Sequence, residues 1–543
     1  MSADETYDFI VVGAGSAGCV LANRLSADPS VRVLLLEAGG SDRRFWVQLP
    51  IGYGKTYYQK AVNWRFTTEP VVGLCNQPSY WPRGKVLGGS SSINAMVWIR
   101  GNAADYDNWS AAGNPGWSYD EVLPYFKRSE TYSAGPSPWR GGDGPLYVSD
   151  VSRDLHPLCR HFLAAGQQAG LPINPDFNAA HQEGVGFYQI SVKNGWRMST
   201  ARAYLHPISG RPNLHIRTHA QAERVLFDGR RAAGISYRIG GETLQARAHR
   251  EVILCTGAIN TPALLQLSGL GPGSLMKSLG IETVLDLPAV GQNLQDHLGV
   301  DYLFRSTQPS LNNQLSPWWG KVRAALQFIC TRRGPLSLSV NQAGGFLRSR
   351  PGLGHPDLQL YFSPLSYTRA RPGTRPLMRP DPFPAFLLGV SNCRPESRGE
   401  IHIRSRNPSE PPRIQPNYLS APSDIRTLLA GVKYIRHLAS MPALSGIIEQ
   451  EIRPGAGCVA DEALIQDIHE NAWSVFHPSC TCRMGPDPRS CVVDARLRVH
   501  GIRSLRIADT SIFPSLITGN TNAAAIMVGE KASDLILEDL RRT

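Results

Sequence analysis

Tyr7-Asp8-Phe9-Ile10-Val11-Val12-Gly13-Ala14-Gly15-Ser16-Ala17-Gly18 decides the reading of this chain. The apolar run Tyr7 to Val12 has β character, and Ala17 to Ala27 reads as a helix. Between them lies G-x-G-x-x-G. Gly13 permits a tight turn, Gly15 admits a pyrophosphate to the backbone, and Gly18 lets helix and strand pack closely. The helix N-terminus then presents free N–H groups to phosphate. A second strand, Val31 to Leu36, ends at Glu37, where a carboxylate can accept the hydroxyls of an adenosine ribose. Strand, helix, second strand and acid together predict a Rossmann-type dinucleotide site. They leave open whether the dinucleotide is NAD or FAD.

Composition sets the frame around that site. With 543 residues, 42% of them hydrophobic, two interleaved domains are expected. Fifty-two Gly and 41 Pro predict many turns and long connections rather than a helical bundle. The net charge of +12 comes from scattered Arg, with no basic block beyond pairs such as Arg332-Arg333. That argues against a nucleic-acid partner, which needs a concentrated stripe. It suits a solvated basic surface and leaves room for peripheral contact with an anionic membrane. The N-terminus enters a strand by residue 7 without an export signal, and no apolar run reaches the ~18 residues of a membrane span. A cytoplasmic location is therefore expected, with peripheral attachment at the inner membrane as the variant, and the ten Cys are expected as reduced thiols.

Further elements follow along the chain. Leu214 to Ile216, Glu223 to Phe227 and Ala232 to Arg238 have strand character, with a hairpin turn at Asp228-Gly229. Arg250 to Ala258 reads as a buried strand ending in a small-residue turn, followed by a helix from Thr261 to Leu267. Residues 301 to 412 are Pro- and Arg-rich, with strands expected at Leu358–Phe362, Phe386–Val390 and Glu400–Ile403. Helices are expected at Ser423 to Ser440, with Ser423 as N-cap, at Asp461 to Asn471, and at Ala523 to Leu540. Leu505 to Ile507 is a strand leading to Asp509.

Two longer patterns carry a family resemblance. Gly84-Lys85-Val86-Leu87-Gly88-Gly89-Ser90-Ser91, continuing through Asn94 and Trp98 to Gly101, is the first. Gly257-Ala258-Ile259-Asn260-Thr261-Pro262-Ala263-Leu264-Leu265-Gln266-Leu267-Ser268-Gly269-Leu270-Gly271 is the second. In this order they resemble the two signatures of the glucose–methanol–choline (GMC) oxidoreductases. The likeness runs over nearly the whole chain and is nearest to choline dehydrogenases and aliphatic alcohol dehydrogenases, above all at His477-Pro478-Ser479-Cys480-Thr481-Cys482-Arg483-Met484-Gly485. It implies an α/β fold: a Rossmann-type FAD-binding domain (1–155, 213–300 and 474–543) interleaved with an α+β substrate-binding domain (156–212 and 301–473) built on an antiparallel sheet with helices. It implies FAD held by Gly13, Gly15, Gly18 and Glu37 at the ADP half. Val86, Gly88, Asn94, Ala95, Met96 and Val97 are placed along the flavin, the Val225 backbone at the adenine, and Asp509 and Ala523 at the far side. Where some relatives attach FAD through a His, this chain has Ile93, so FAD is expected to be non-covalent.

The same resemblance assigns His477 as base and Asn520 as hydrogen-bonding partner of the substrate oxygen. The expected reaction is oxidation of a primary alcohol to an aldehyde, by a dehydrogenase passing electrons to a quinone or other carrier, or to O2 in an oxidase. His suits the role because its ordinary pKa leaves it a usable base at neutral pH. His297, in Asn293-Leu294-Gln295-Asp296-His297, is the rival base. His477 with Cys480 and Cys482 lacks a fourth zinc ligand, so no metal is expected. Choline-oxidising relatives carry a Glu just before a Gly-Gly-Phe, where this chain has Asn341-Gln342-Ala343-Gly344-Gly345-Phe346. That points to a non-choline aliphatic or aryl alcohol, with Trp318, Trp319, Phe346, Tyr361 and Phe362 as candidate pocket walls and choline dehydrogenase as the alternative. A hydroxynitrile lyase retaining FAD is the alternative outside redox chemistry. A fatty acid photodecarboxylase, suggested by Cys393-Arg394-Pro395, is a minor one.

Overall fold

The computed structural model describes residues 5–368 and 379–542, so part of the Pro- and Arg-rich region, 369–378, lies outside the described residues. Two sheets organise the chain. In the first, five parallel strands run in the order Leu214–Arg217, Val33–Leu36, Glu5–Val12, Glu242–Leu254 and Leu505–Ile507. Phe9 to Val12 and Val33 to Leu36 are fully buried, as parallel strands covered on both faces require. The strand expected from Arg250 starts eight residues earlier, at Glu242. Its first half is polar because it belongs to an antiparallel meander with Arg231–Ile239 and Gln221–Asp228, turning at Asp228-Gly229. That strand ends at Leu254, and the helix after it spans Gly257–Leu267 rather than starting at Thr261. Pro262 suggests a helix start because it lacks an N–H. In the fold, the Ala258 carbonyl one turn before Pro262 accepts from the Thr481 hydroxyl instead, at 2.7 Å.

The second sheet is antiparallel: Ile448–Arg453, Leu298–Ser306, Ala385–Asn392, Leu358–Ser363, Ala343–Leu347 and Gly184–Phe187, in that order. Its strands alternate faces. Leu358, Leu360 and Phe362 join Val300, Tyr302 and Phe304 in a core beneath the helices Leu158–Gln168, Pro422–Ser440 and Asp461–Asn471. Gln359, Tyr361 and Gly389 face the other way, toward the first sheet. Ser423 is not an N-cap: Ala421 caps that helix, Pro422 supplies its first residue, and the Ser423 hydroxyl donates to Glu396 Oε2 at 2.6 Å. The last helix, Asn522–Arg542, lies against Ser16–Leu25. There the fully buried Glu530 carboxylate accepts from Arg24 and Tyr204 and forms an ion pair with Arg128, each at 2.8 Å. One carboxylate thus ties four distant segments together.

Candidate active site

A cavity of about 580 Å³ opens at the carboxyl ends of the parallel strands, where α/β sheets bind ligands. Its wall takes in Val12, Gly13, Gly15, Glu37, Cys255 and Asp509, and continues across the second sheet through Asp301, Tyr361 and Gly389. The three glycines of the opening motif have separable causes. A Cβ on Gly13 would lie 2.6 Å from the Cys255 carbonyl oxygen, and one on Gly18 would lie 1.9 Å from the Gly13 oxygen. Packing alone demands both. A Cβ on Gly15 would meet only an ordinary 3.6 Å contact, so the protein itself does not require glycine there. Gly15 caps the Ser16–Leu25 helix without a side-chain bond to its first N–H groups, and it faces the cavity. This cradle fits a dinucleotide pyrophosphate.

Glu37 stands across from it. Its carboxylate accepts from Gly39 N–H at 2.7 Å and Ala14 N–H at 3.0 Å, yet burial pushes its pKa up to about 7. A carboxylate so poorly solvated gains from further donors such as ribose hydroxyls. Asn94, Ala95, Met96 and Val97 also line the cavity. Met96 is held at φ +64°, with its N–H donated to Asn94 Oδ1, and the buried Arg197 donates to the same Asn94 oxygen at 2.8 Å. Asp509 accepts from Gly257 N–H and from the Thr261 hydroxyl, pinning the turn beside it. Gly18, Val86, Gly88, Val225 and Ala523 do not reach the cavity wall. Val86 is core, Gly88 makes the turn at φ +86°, and the Val225 N–H is already donated to Ser268. Ala222 lies on the wall in place of Val225, and Asn522 and Ala525 in place of Ala523.

His477 and Asn520 are brought together on the wall, with Asn520 Nδ2 3.3 Å from His477 Nε2. The rest of the hydrogen-bond chain fixes where the protons sit. His297 Nε2 is 3.1 Å from the Cys393 carbonyl, which can only accept, so His297 carries its proton there. A neutral His297 then offers a bare Nδ1 to His477 Nδ1, 3.0 Å away, and His477 must donate. The lone pair of His477 is left on Nε2, facing the cavity. Burial, then the neighbouring His297 and Arg83, hold the His477 pKa well below the ordinary 6.5, and burial lowers that of His297 to about 4. Both imidazoles are neutral at pH 7. Asn520 is oriented from behind: its Oδ1 accepts from Gln359, whose own oxygen accepts from Tyr361. Asp296, its pKa raised to about 6 by burial, accepts from Ser474, Tyr418 and the His477 backbone N–H at 2.7 Å. Phe476 and Cys480 flank the imidazole in left-handed conformation, at φ +68° and +75°.

Several sequence expectations need correcting here. His297 is fully buried with both nitrogens engaged and does not line the cavity, so it stands behind His477 and has no nitrogen free to meet a substrate. The Cys393 thiol lies in a core cluster with Val97, Phe177 and Phe346, and only its carbonyl serves the site. Of the candidate aromatic walls only Tyr361 lines the cavity. Phe346 and Phe362 are core, and Trp318 and Trp319 are on the surface. Tyr57, Tyr58, Tyr80, Trp64 and Phe476 supply the aromatic wall instead. Gln342 is turned away, accepting from the His156 N–H at 2.8 Å, and Asn341 faces the cavity in that segment. Gln359, Asp296 and Arg197 escaped the sequence reading because each touches the site only through strands or loops distant in sequence. Among the described residues, no three His, Cys, Asp or Glu are grouped to hold a metal.

The GMC oxidoreductase family matches residues 7–299 and again 395–529. The chain is 44% identical over 541 residues to an alcohol dehydrogenase [acceptor] of Pseudomonas putida, covering 98% of this chain and 96% of that one. It is 43% identical to the mitochondrial choline dehydrogenase of Mus musculus, covering 98% and 89%. Among solved structures, an FAD-dependent oxidoreductase from Chaetomium thermophilum superposes with a TM-score of 0.89 at 28% identity, over 98% of this chain and all of that one.

Proposed function

This chain belongs to the GMC oxidoreductase family of FAD enzymes, and from that premise we propose that it oxidises a primary alcohol to an aldehyde with His477 as base. The observation that carries this reading is the bare His477 Nε2, aimed at the cavity with the Asn520 amide 3.3 Å away. FAD, when bound, supplies the acceptor for the hydride leaving the alcohol carbon. Gly13, Gly15, Glu37, Asn94 to Val97 and Asp509 would hold it. Ile93, on the cavity wall, has no nucleophile, which supports a non-covalent cofactor. We assign its binding to 1–155, 213–300 and 474–543, and the substrate to 156–212 and 301–473.

The residues divide the proton work. His477 Nε2 takes the hydroxyl proton, and the Asn520 N–H donates to the oxygen as its charge grows. His297 keeps accepting from His477 Nδ1, so the ring that becomes an imidazolium keeps its orientation. Asp296, bonded to the His477 backbone, sets negative charge beside that cation.

The substrate we favour is an aliphatic or aryl alcohol. The segment before Gly344-Gly345-Phe346 presents neutral Asn341 to the cavity, and the wall opposite is aromatic. Choline is the second reading, supported by the tyrosines, which can face a quaternary ammonium, and by the cavity-lining Asp301. Asp301 lies 3.4 Å from Arg453, which offsets its charge. The name alcohol dehydrogenase [acceptor] supports electron transfer to a carrier, while another relative, at 43% identity, is named oxygen-dependent choline dehydrogenase and supports oxygen as the second reading.

An anaerobic flavin-reduction screen tests the proposal. Aliphatic or aryl alcohols should bleach the flavin faster than choline, and His477→Ala should slow bleaching by about 10²–10⁴-fold. Bleaching as fast in the variant as in the parent refutes the base assignment. No bleaching by any alcohol refutes the alcohol-oxidation reading and favours lyase chemistry.

A further inference from the structure

The Trp318–Thr331 helix turns large apolar side chains to solvent. Trp318 is 76% exposed, Trp319 57%, Val322 49%, Leu326 57% and Ile329 62%. At 100° per residue these five share one arc of about 100°. The opposite face is apolar too. Gly320, Ala324 and Phe328 are buried, with Ala324 on Leu311, Leu315 and Leu365, and Phe328 edge-on to Trp196 at 5.1 Å. Ala324 and Phe328 satisfy the helix's debt to the core, so the outer row is not needed for folding. Beside this helix the short Phe45–Gln48 turn leaves Phe45 58% and Trp46 42% exposed. The two segments are joined through Trp196-Arg197, whose indole meets Phe328 and whose guanidinium donates to the Val47 carbonyl at 3.0 Å.

Charge says what covers this ridge. Neither 43–68 nor 302–356 contains an Asp or Glu. Lys321 and Arg323 flank the apolar arc, Arg332 follows it, and Arg43, Arg44 and Lys55 border the Phe45-Trp46 pair, all of them exposed. Arg333 is the exception, lying 3.5 Å from Asp154. Indoles and aliphatic side chains on one arc with cations at its margins suit the boundary between acyl chains and anionic headgroups. Such high exposures describe a protruding ridge, which a deformable bilayer receives without a preformed groove. No helix among the described residues is long and apolar enough to cross a membrane, so the helix would lie in the interface.

We propose that the Trp318–Thr331 helix, together with Phe45 and Trp46, is a docking surface for an anionic lipid bilayer. The placement has a consequence for the site. Val340 and Tyr367 pack against the cluster under this helix and also line the cavity. Docking brings that side of the cavity to the lipid, from which an apolar alcohol or a lipid-soluble acceptor can partition. This consequence rests on the alcohol-oxidation reading, whereas the docking does not.

Vesicle flotation of the intact holoenzyme tests the docking, with phosphatidylcholine alone or mixed with phosphatidylglycerol. The parent should float with the anionic vesicles and bind neutral ones at least about tenfold more weakly. Trp319→Ser with Ile329→Ser, and separately Lys321→Glu with Arg323→Glu, should each weaken anionic binding at least about tenfold. Flavin content and turnover with a soluble dye acceptor should stay at parent levels. Anionic-vesicle binding by the serine variant equal to the parent's overturns the proposal, as does a parent that binds neither vesicle. A parent dimer that the serine variant converts to monomer, without vesicle binding, assigns the ridge to a second copy of this chain and equally overturns it.

Discussion

Two imidazoles 3.0 Å apart share one proton between their facing nitrogens, and a backbone carbonyl decides which ring owns it. Because Cys393 O can only accept, His297 is protonated away from His477, and the His477 lone pair is fixed on Nε2. In the proposed mechanism His297 is thereby a positioning residue. His297→Gln can still accept from His477 and donate to Cys393, whereas His297→Leu leaves the His477 N–H without a partner and its tautomer free. We expect the Leu variant to slow flavin reduction by about 10–100-fold with little change in substrate affinity, and the Gln variant to recover part of the loss. Equal rates in the two variants would sink the relay. In the parent, the pH profile carries the same signature. His477 as the proposed base works neutral, and its pKa is held below 6.5, so activity should persist as pH falls through 6.5 and decline only well below it. At this scale the sequence singled out His477 and Asn520 through their resemblance to known motifs, and the fold brings the two together on the cavity wall. The sequence was silent on Gln359, whose side chain reaches Asn520 only because strand alternation turns it away from the core.

At the scale of elements, the βα turn at Gly13 to Gly18 separates folding from binding. Gly18→Ala drives a methyl into the Gly13 carbonyl and should destabilise the fold by about 1–3 kcal/mol. Gly15→Ala meets no such contact and should leave the apoprotein within about 1 kcal/mol of the parent while weakening FAD binding at least tenfold. Chemical denaturation of the apoproteins and flavin titration check both halves, and a destabilised apo Gly15→Ala would reassign that glycine to packing. Strand and helix cores were readable because apolar periodicity is local. Element ends were misread at Thr261 and Ser423, where partners from elsewhere, the Thr481 hydroxyl and Glu396, satisfied groups that local rules leave open. The Trp318–Thr331 helix went unread for a different reason. Its apolar residues run round both faces, so no single-faced helical pattern marks it.

Across the whole molecule, the cavity exists because two sheets meet over the carboxyl ends of the parallel strands, and its electrostatics affect stability. Glu37 has its pKa raised to about 7 from an ordinary 4.5, so its contribution is present below pH 4.5 and is lost as pH rises through 7. Apoprotein should therefore lose up to about 3 kcal/mol over that window relative to Glu37→Gln, and FAD should shrink the difference. Thermal unfolding of both proteins, apo and loaded, at pH 4.5 and pH 7.5 checks this, and parallel pH dependence in the two apoproteins would refute it. The sequence by itself determined the dinucleotide turn, the parallel core and the family, because these are written in contiguous residues whose spacing is their geometry. The tertiary structure alone decided which aromatics wall the cavity, that His297 is buried behind His477, and that Trp318 and Trp319 face outward. Those outcomes depend on which strand or helix lies opposite, and contacts between residues hundreds of positions apart leave no local trace in the chain.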